Sequence, residues 1–99
     1  MFARITRYEG GAPENVEEAL RVKKNVLPTE PGQTEGMRGA IFFADRSSGT
    51  ILTMSLWEDE EALKASEESA ARLRDEVAGE GETATVEQYE VAQYSISQP

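Results

Sequence analysis

One tryptophan, three tyrosines and a handful of arginines carry whatever chemistry this chain can do. It contains no His and no Cys in 99 residues. His is the commonest general base near neutral pH. Its absence excludes Ser-His-Asp triads, histidine-bearing zinc sites and a proximal histidine for haem. The absence of Cys excludes disulfides, thiolate metal sites and cysteine nucleophiles. That leaves Trp57, the tyrosines Tyr8, Tyr89 and Tyr94, and the arginines Arg38, Arg72 and Arg74. Each also has an ordinary structural role. A large aromatic anchors a core. Arg72 follows Glu68 by four residues, the spacing of a helical surface ion pair. Arg38 falls in a strand whose face changes with one step of register. The run Glu58-Asp59-Glu60-Glu61 reads as charge complementing a helix N-terminus. It lacks the spaced oxygen ligands of a calcium loop. No metal site and no cofactor are expected.

Charge narrows the partners. The chain has 10 basic and 19 acidic residues, a net charge of −9. This argues against nucleic acid or an anionic membrane as the main partner. All of the excess lies in the second half, where Lys64, Arg72 and Arg74 face 12 acidic groups. A solvated acidic helix face is the plain reading. No apolar run, Ala40 to Ala44 included, is long enough to span a bilayer. The N-terminus lacks the apolar region of a signal peptide. A single cytoplasmic domain over residues 1–99 is expected. A domain of this size buries roughly 60–70% of its unfolded surface, enough for one core.

The elements that position these groups can be read from punctuation and periodicity. Phe2 to Tyr8 reads as a strand stopped by Gly10-Gly11. Pro13 suits the first turn of a helix. Val16, Ala19, Leu20, Lys23 and Leu27 then keep helical spacing, with the Lys23 stem along the edge of the stripe. Pro28, Pro31 and Gly32 end that helix. Met37 to Asp45 and Thr50 to Trp57 read as strands joined by the hairpin signal Asp45-Arg46-Ser47-Ser48-Gly49. Asp59 is a helix N-cap. Ala62, Leu63, Ser66, Ala70, Leu73 and Val77 mark one face of one continuous helix, closed by Gly79 and Gly81. A last strand runs from about Ala84 to Tyr94.

The order β-α-β-β-α-β is the split βαβ, ferredoxin-like motif, an α+β fold. Two helices should cover one face of a four-stranded antiparallel sheet. The other face is expected to hold Ile51, Thr53, Trp57, Tyr89 and Val91. That is too apolar to be freely wetted, so a second copy of the chain is expected to cover it.

The stretch from Gly36 to Gly49 resembles the second strand and hairpin of antibiotic-biosynthesis-monooxygenase-like (ABM-like) domains. So does Thr50 to Ser66, an apolar strand ending in Trp57, then acidic residues, Glu61-Ala62 and Ser66 one turn later. Val86 to Val91 is similar to the last strand of small bacterial members. The resemblance implies the dimeric α/β barrel superfamily, in which two ferredoxin-like subunits join through their open sheet faces. It implies a homodimer, and activities that include cofactor-independent oxygenation of aromatic and quinol-type compounds. The haem-degrading branch carries a His and a second Trp on the helix after the third strand, and an Asn on the first strand. This chain has no His, and Arg4, Thr6 and Arg7 stand where that Asn would be sought. The oxygenase branch implies a small aromatic ligand walled by Trp57. Arg38, Arg72 or Arg74 would stabilise an anionic ring oxygen. Tyr8, Tyr89 or Tyr94 would hold a phenol or quinone oxygen. Trp57, Arg38, Arg72 and Tyr89 are the candidate binding residues. A non-catalytic dimeric binding or structural module is the alternative.

Overall fold

Strand register decides which side chains can meet. The computed structural model describes residues 1–97. Strand β1 (Phe2–Glu9) pairs antiparallel with both β3 (Thr50–Trp57) and β4 (Thr83–Glu90). Strand β2 (Met37–Asp45) pairs with β3, giving the order β2-β3-β1-β4. A 3₁₀ turn at Pro13–Asn15 leads into α1 (Val16–Val26). Two helices, α2 (Glu60–Ala65) and α3 (Glu67–Val77), connect β3 to β4. The result is the ferredoxin-like arrangement, with the helices on one face of the sheet.

Cross-strand partners share a face. Phe2, Arg4, Thr6 and Tyr8 pair with Trp57, Ser55, Thr53 and Ile51. This is the helix-covered face, for Tyr8, Ile51 and Trp57 are all buried. The opposite face carries Ala3 and Ile5 beside Leu52, Met54 and Leu56. The expected assignment of Ile51, Thr53 and Trp57 to the open face is therefore corrected by one step of register. Tyr89 does lie on the open face, through its pairing with Ala3, and is exposed. Val91 lies beyond β4, and its N–H donates to the Met1 carbonyl at 2.8 Å. The last strand thus ends at Glu90, short of Tyr94.

Strand β2 contains an irregularity. Met37 pairs with Trp57 and Gly39 with Leu56, so Arg38 has no partner of its own. Such a bulge puts two residues opposite one. Met37 then joins the covered face and packs with Trp57 and Leu63. Arg38 is pushed outward.

The acidic helix is also interrupted. Asp59 caps it as expected, accepting the Ala62 N–H at 2.8 Å. The chain turns at Ser66, and α3 begins after it. The Leu63 carbonyl accepts from the Ser66 N–H at 3.2 Å, the Ser66 hydroxyl at 2.7 Å and Arg4 at 3.0 Å. These donors draw that carbonyl off the helical ladder, and the predicted single helix becomes two.

Helix α1 buries Val16, Leu20 and Lys23 against Tyr8, Ile51 and Val77. Lys23 goes further than the edge of the stripe, for its side chain is fully buried. Its ammonium donates to Glu82 at 2.8 Å and lies 4.5 Å from the Tyr8 ring centre. Glu82 also accepts the Gly79 N–H at 2.8 Å. Gly10 fixes the place of this turn. At φ +96°, a Cβ on Gly10 would come within 2.4 Å of the Gly81 carbonyl oxygen. Only glycine permits that approach of β1's end to the 79–82 turn.

A buried ion pair contributes little net stability when both charges are present. Breaking it costs about 3–5 kcal/mol, because an unpaired charge is left inside. Glu82→Ala and Lys23→Met are each expected to destabilise by about 3 kcal/mol or more in urea unfolding. The double variant should cost clearly less than the sum of the two.

Candidate functional site

Between the sheet and α3 lies a cavity of about 80 Å³. Alternation along two neighbouring strands builds its floor. Arg4, Thr6 and Tyr8 come from β1, and Thr53, Ser55 and Trp57 from β3. Ala40 and Phe42 of β2 wall one side. Helix α3 covers it with Ser69, Ala70, Leu73 and Arg74, and Ser66 stands at the α2–α3 break. Leu27, Pro28 and Thr34 come from the connection between α1 and β2. The lining therefore mixes aromatic rings, hydroxyls and two guanidinium groups.

Trp57 is held by its neighbours on both sides. Its indole N–H donates to the Ser55 hydroxyl at 2.9 Å. The Arg4 guanidinium lies 5.5 Å from its ring centre, within cation–π range. Arg4 is itself 5% exposed. Its Nη2 donates to the Leu63 carbonyl at 3.0 Å, the Ser66 hydroxyl at 2.9 Å and the Glu67 carboxylate at 3.0 Å. Gln88 on β4 donates to the same Glu67 oxygen. The Arg4 Nε is buried and has no hydrogen-bond partner among the described residues. Burial alone would raise the Glu67 carboxyl, yet its hydrogen bond to Arg4 and the Arg4 charge hold it below the usual range.

Tyr8 forms the far end of the floor. Burial pushes its phenol up to about 12, against the opposing pull of the Arg74 charge. The Glu82 carboxylate adds to the rise, and the Thr53 hydroxyl beside the phenol works against it. Tyr8 is thus a neutral hydrogen-bond donor at ordinary pH. Arg74 makes no ion pair among the described residues. The lining contains no Asp and no Glu.

The four candidates read from the sequence are not brought together. Trp57 is in the cavity wall. Arg38, ejected by the bulge, pairs with Glu58 at 3.1 Å on the surface. With Met1, Leu56 and Tyr94 these two line an open depression of about 370 Å³ outside the cavity. Arg72 points to solvent from α3 and makes no ion pair with Glu68 among the described residues. Tyr89 is on the open sheet face, where its hydroxyl donates to Glu87. That hydrogen bond and the carboxylate's charge raise its pKa. Tyr8 and Arg74, named with these four, do line the cavity. Arg4, Thr6, Thr53 and Ser55 were not singled out. Their signal is polar residues at every second position of a strand whose intervening residues are apolar.

The same fold recurs in known proteins. Solved structures of this shape include a Deinococcus radiodurans protein provisionally assigned as an antibiotic biosynthesis monooxygenase. It covers 100% of both chains with a TM-score of 0.73 and 14% identity. The fold is shared at that distance. The chain's fold is similar to that of ABM domains. A dimeric ferredoxin-like protein from an uncultured marine organism matches 98% of this chain and 92% of its own, with a TM-score of 0.69 and 11% identity. SnoaB, a cofactor-independent oxygenase from Streptomyces nogalater, matches 94% of each chain, with a TM-score of 0.64 and 14% identity. The chain also resembles two uncharacterised proteins of Mycobacterium tuberculosis strain H37Rv. Rv2557 is 38% identical over 72 residues, 72% of this chain and 32% of that protein. Rv2558 is 32% identical over 78 residues, 79% of this chain and 33% of that protein. The chain spans about a third of the length of these curated relatives. No protein-family profile matches it. No helix of the described residues is long and apolar enough to cross a membrane.

The Tyr8 shift has a consequence for stability. Below pH 10 the phenol is neutral in the folded and the unfolded chain, so it adds no pH dependence. From about 10 to about 12 the unfolded chain ionises and the folded chain resists, so stability falls as pH rises. Tyr8→Phe should flatten that alkaline limb, read as the pH dependence of the urea midpoint. An unchanged limb would place Tyr8 in a wetter setting than the structure gives it.

Proposed function

We propose that the chain is a cofactor-independent oxygenase of a small aromatic or quinone-like compound. The observation that carries this reading is the cavity beside Trp57, in a fold shared with SnoaB. Such chemistry begins from an ionised, electron-rich ring. The ring passes one electron to O₂, the two radicals join in a C–O bond, and the hydroperoxide loses water. One O₂ converts a ring CH₂ to C=O and releases one H₂O. The protein contributes position and anion stabilisation. Trp57 and Phe42 would hold the ring, and Tyr8 would donate to a ring oxygen.

Oxygen uptake with a panel of quinols and anthrones tests the reading. Turnover above the buffer rate is expected, with a loss of at least about tenfold in kcat/KM for Trp57→Ala, equivalent to about 1.4 kcal/mol of transition-state stabilisation. Trp57→Phe keeps a ring in the wall and should retain more activity. No turnover with any member of the panel would remove the oxygenase reading.

A non-catalytic binding module is the second reading, and one observation favours it. No carboxylate lines the cavity and the chain has no His, so no protein base faces a ligand. The cavity is also small against the roughly 300–1,000 Å³ of pockets for drug-sized ligands. Ligand-induced gains in melting temperature with no product formed would establish this reading.

Both readings include a homodimer through the open sheet face. Ile5, Ile41, Leu52 and Met54 form a contiguous apolar patch there, beside the buried Leu56 and with the exposed Phe43 at its border. Patches of this kind mark interaction sites. The dimeric ferredoxin-like protein of similar shape supports a dimer. Sedimentation should give a dimer at micromolar concentration, and Met54→Glu should give a folded monomer. A monomeric wild-type chain would count against it.

A further inference from the structure

Lys23 occupies the place in the α1 stripe where an apolar residue would complete it. Val16 and Leu20, its neighbours in that stripe, are buried with it. A buried ion pair is a weak source of stability, and apolar residues of similar volume often serve as well. The pair with Glu82 therefore asks for another reason. The ammonium meets three elements at once. It donates to Glu82 at 2.8 Å in the turn before β4 and to the Val77 carbonyl at 3.4 Å at the end of α3. On β1 it lies over the face of Tyr8, 4.5 Å from the ring centre. Glu82 is held in turn by the Gly79 N–H at 2.8 Å. Neither Lys23 nor Glu82 lines the cavity. Tyr8 belongs to both regions. It packs in the core with Val16, Leu20, Ile51 and Val77, and it lines the cavity with Thr53 and Arg74.

The consequence lies in the direction of a proton. The O–H of a phenol lies in the plane of its ring, because an oxygen lone pair conjugates with the ring. Rotation about the tyrosine χ2 leaves the oxygen where it is and swings that plane. This torsion is broad, so the side chain by itself does not choose. A cation is attracted to the face of the ring and not to its edge. We propose that Lys23 is a positioning residue of the site: seated on the face of Tyr8, it sets the ring plane and so the direction in which the Tyr8 hydroxyl donates into the cavity. Glu82 keeps the ammonium on that face. A ligand oxygen then has to arrive in the plane that Lys23 has set, which selects ligands by the direction of their acceptor as well as by their size. That Tyr8 donates to a ligand rests on the oxygenase reading. That its plane is set rests on the geometry of Lys23 alone.

The test compares the wild type with Lys23→Met/Glu82→Gln. Methionine fills the space without a charge and meets a ring edge as readily as a face. Glutamine keeps an acceptor for the Gly79 N–H, and no lone charge is left inside. The first measurement is NMR of protein with isotope-labelled tyrosine rings, Tyr8 being identified by the signals lost in Tyr8→Phe. No ligand is added. In the wild type the two edges of the Tyr8 ring should give separate signals, since a flip must carry an edge past the ammonium. In the double variant the flip rate should rise at least about tenfold. Val16→Ala loosens the same core cluster with the cation in place, and should leave the signals separate. Averaged signals in the wild type, a double variant that flips no faster, or a Val16→Ala variant that flips as fast as the double variant overturns the proposal. The second measurement is oxygen uptake on a quinol. Lys23→Met/Glu82→Gln should lower kcat/KM about tenfold where Tyr8 is present and leave it nearly unchanged in a Tyr8→Phe background. A merely structural loss would appear in both backgrounds, and an equal loss in both overturns the link to the hydroxyl. No oxygen uptake by the wild type on any quinol removes the oxygenase reading, and the setting of the ring then stands or falls by the flip rate.

Discussion

The Arg4 guanidinium joins the two layers of this protein. It rises from β1, is shut off from solvent, and meets the helical layer where α2 breaks into α3. A buried arginine without partners would be prohibitively unfavourable. Here the Leu63 carbonyl, the Ser66 hydroxyl and the Glu67 carboxylate all accept from it. The carbonyl belongs to the last turn of α2, where the helix is partially negative. The break in the helix and the burial of the charge therefore require each other. An unbroken helix would keep the Leu63 carbonyl in its own ladder. The same arginine lies against Trp57 and so sets one wall of the cavity. Fold and site share a single group at this point.

A second buried cation, Lys23, does the equivalent task at the other end. It ties α1 to the turn before β4 and lies against the ring of Tyr8. Each of these cations has its own carboxylate and its own aromatic ring. Arg74 has neither an ion pair nor a cation–π contact among the described residues. The contrast separates charges that hold the layers together from one whose charge reaches Glu67 and Tyr8 only at longer range. The acidic groups of the second half surround this interior from outside. Glu67 and Glu82 turn inward, and each is spent on a cation.

Much of the architecture was legible from punctuation. Gly10-Gly11, Pro13, Pro28 and the Asp45 to Gly49 turn mark the element ends, and Asp59 caps its helix through its side chain. The choice of sheet face was not legible. Leu52, Met54 and Leu56 look like the inward set, while Thr53 and Ser55 look outward. The structure inverts this because hydroxyls and an arginine can be buried once they are hydrogen-bonded or face a cavity. An apolar strand face carries no mark of whether it meets its own chain or another. The partners of Arg4 and Lys23 were hidden for a different reason. Ser66 is 62 residues from Arg4 and Glu82 is 59 from Lys23, beyond the reach of any local pattern. The site was read only in part, as Trp57 and the tyrosine and arginine types. Arg38 and Arg72 share their type with Arg74 and differ only in where bulge and helix phase aim them.

The bulge at Arg38 lets this strand carry one residue more than its partner without turning Met37 away from the core. Arg38 is a spacer. Its solvent-facing side chain touches little besides Glu58, so almost any residue would serve at that position. Its backbone, by contrast, is the extra unit that the bulge takes out of the ladder, so that Met37 and Gly39 meet consecutive residues of β3. Draw it into the ladder without the bulge, and regular alternation puts Arg38 opposite Trp57 and sends Met37 to the outer face, away from Trp57 and Leu63. One cavity wall and one core contact would go with it. For sequences of this shape, the informative variation at this point is therefore an insertion or a deletion. Aligning such chains by residue type alone will pair the wrong faces of the strand.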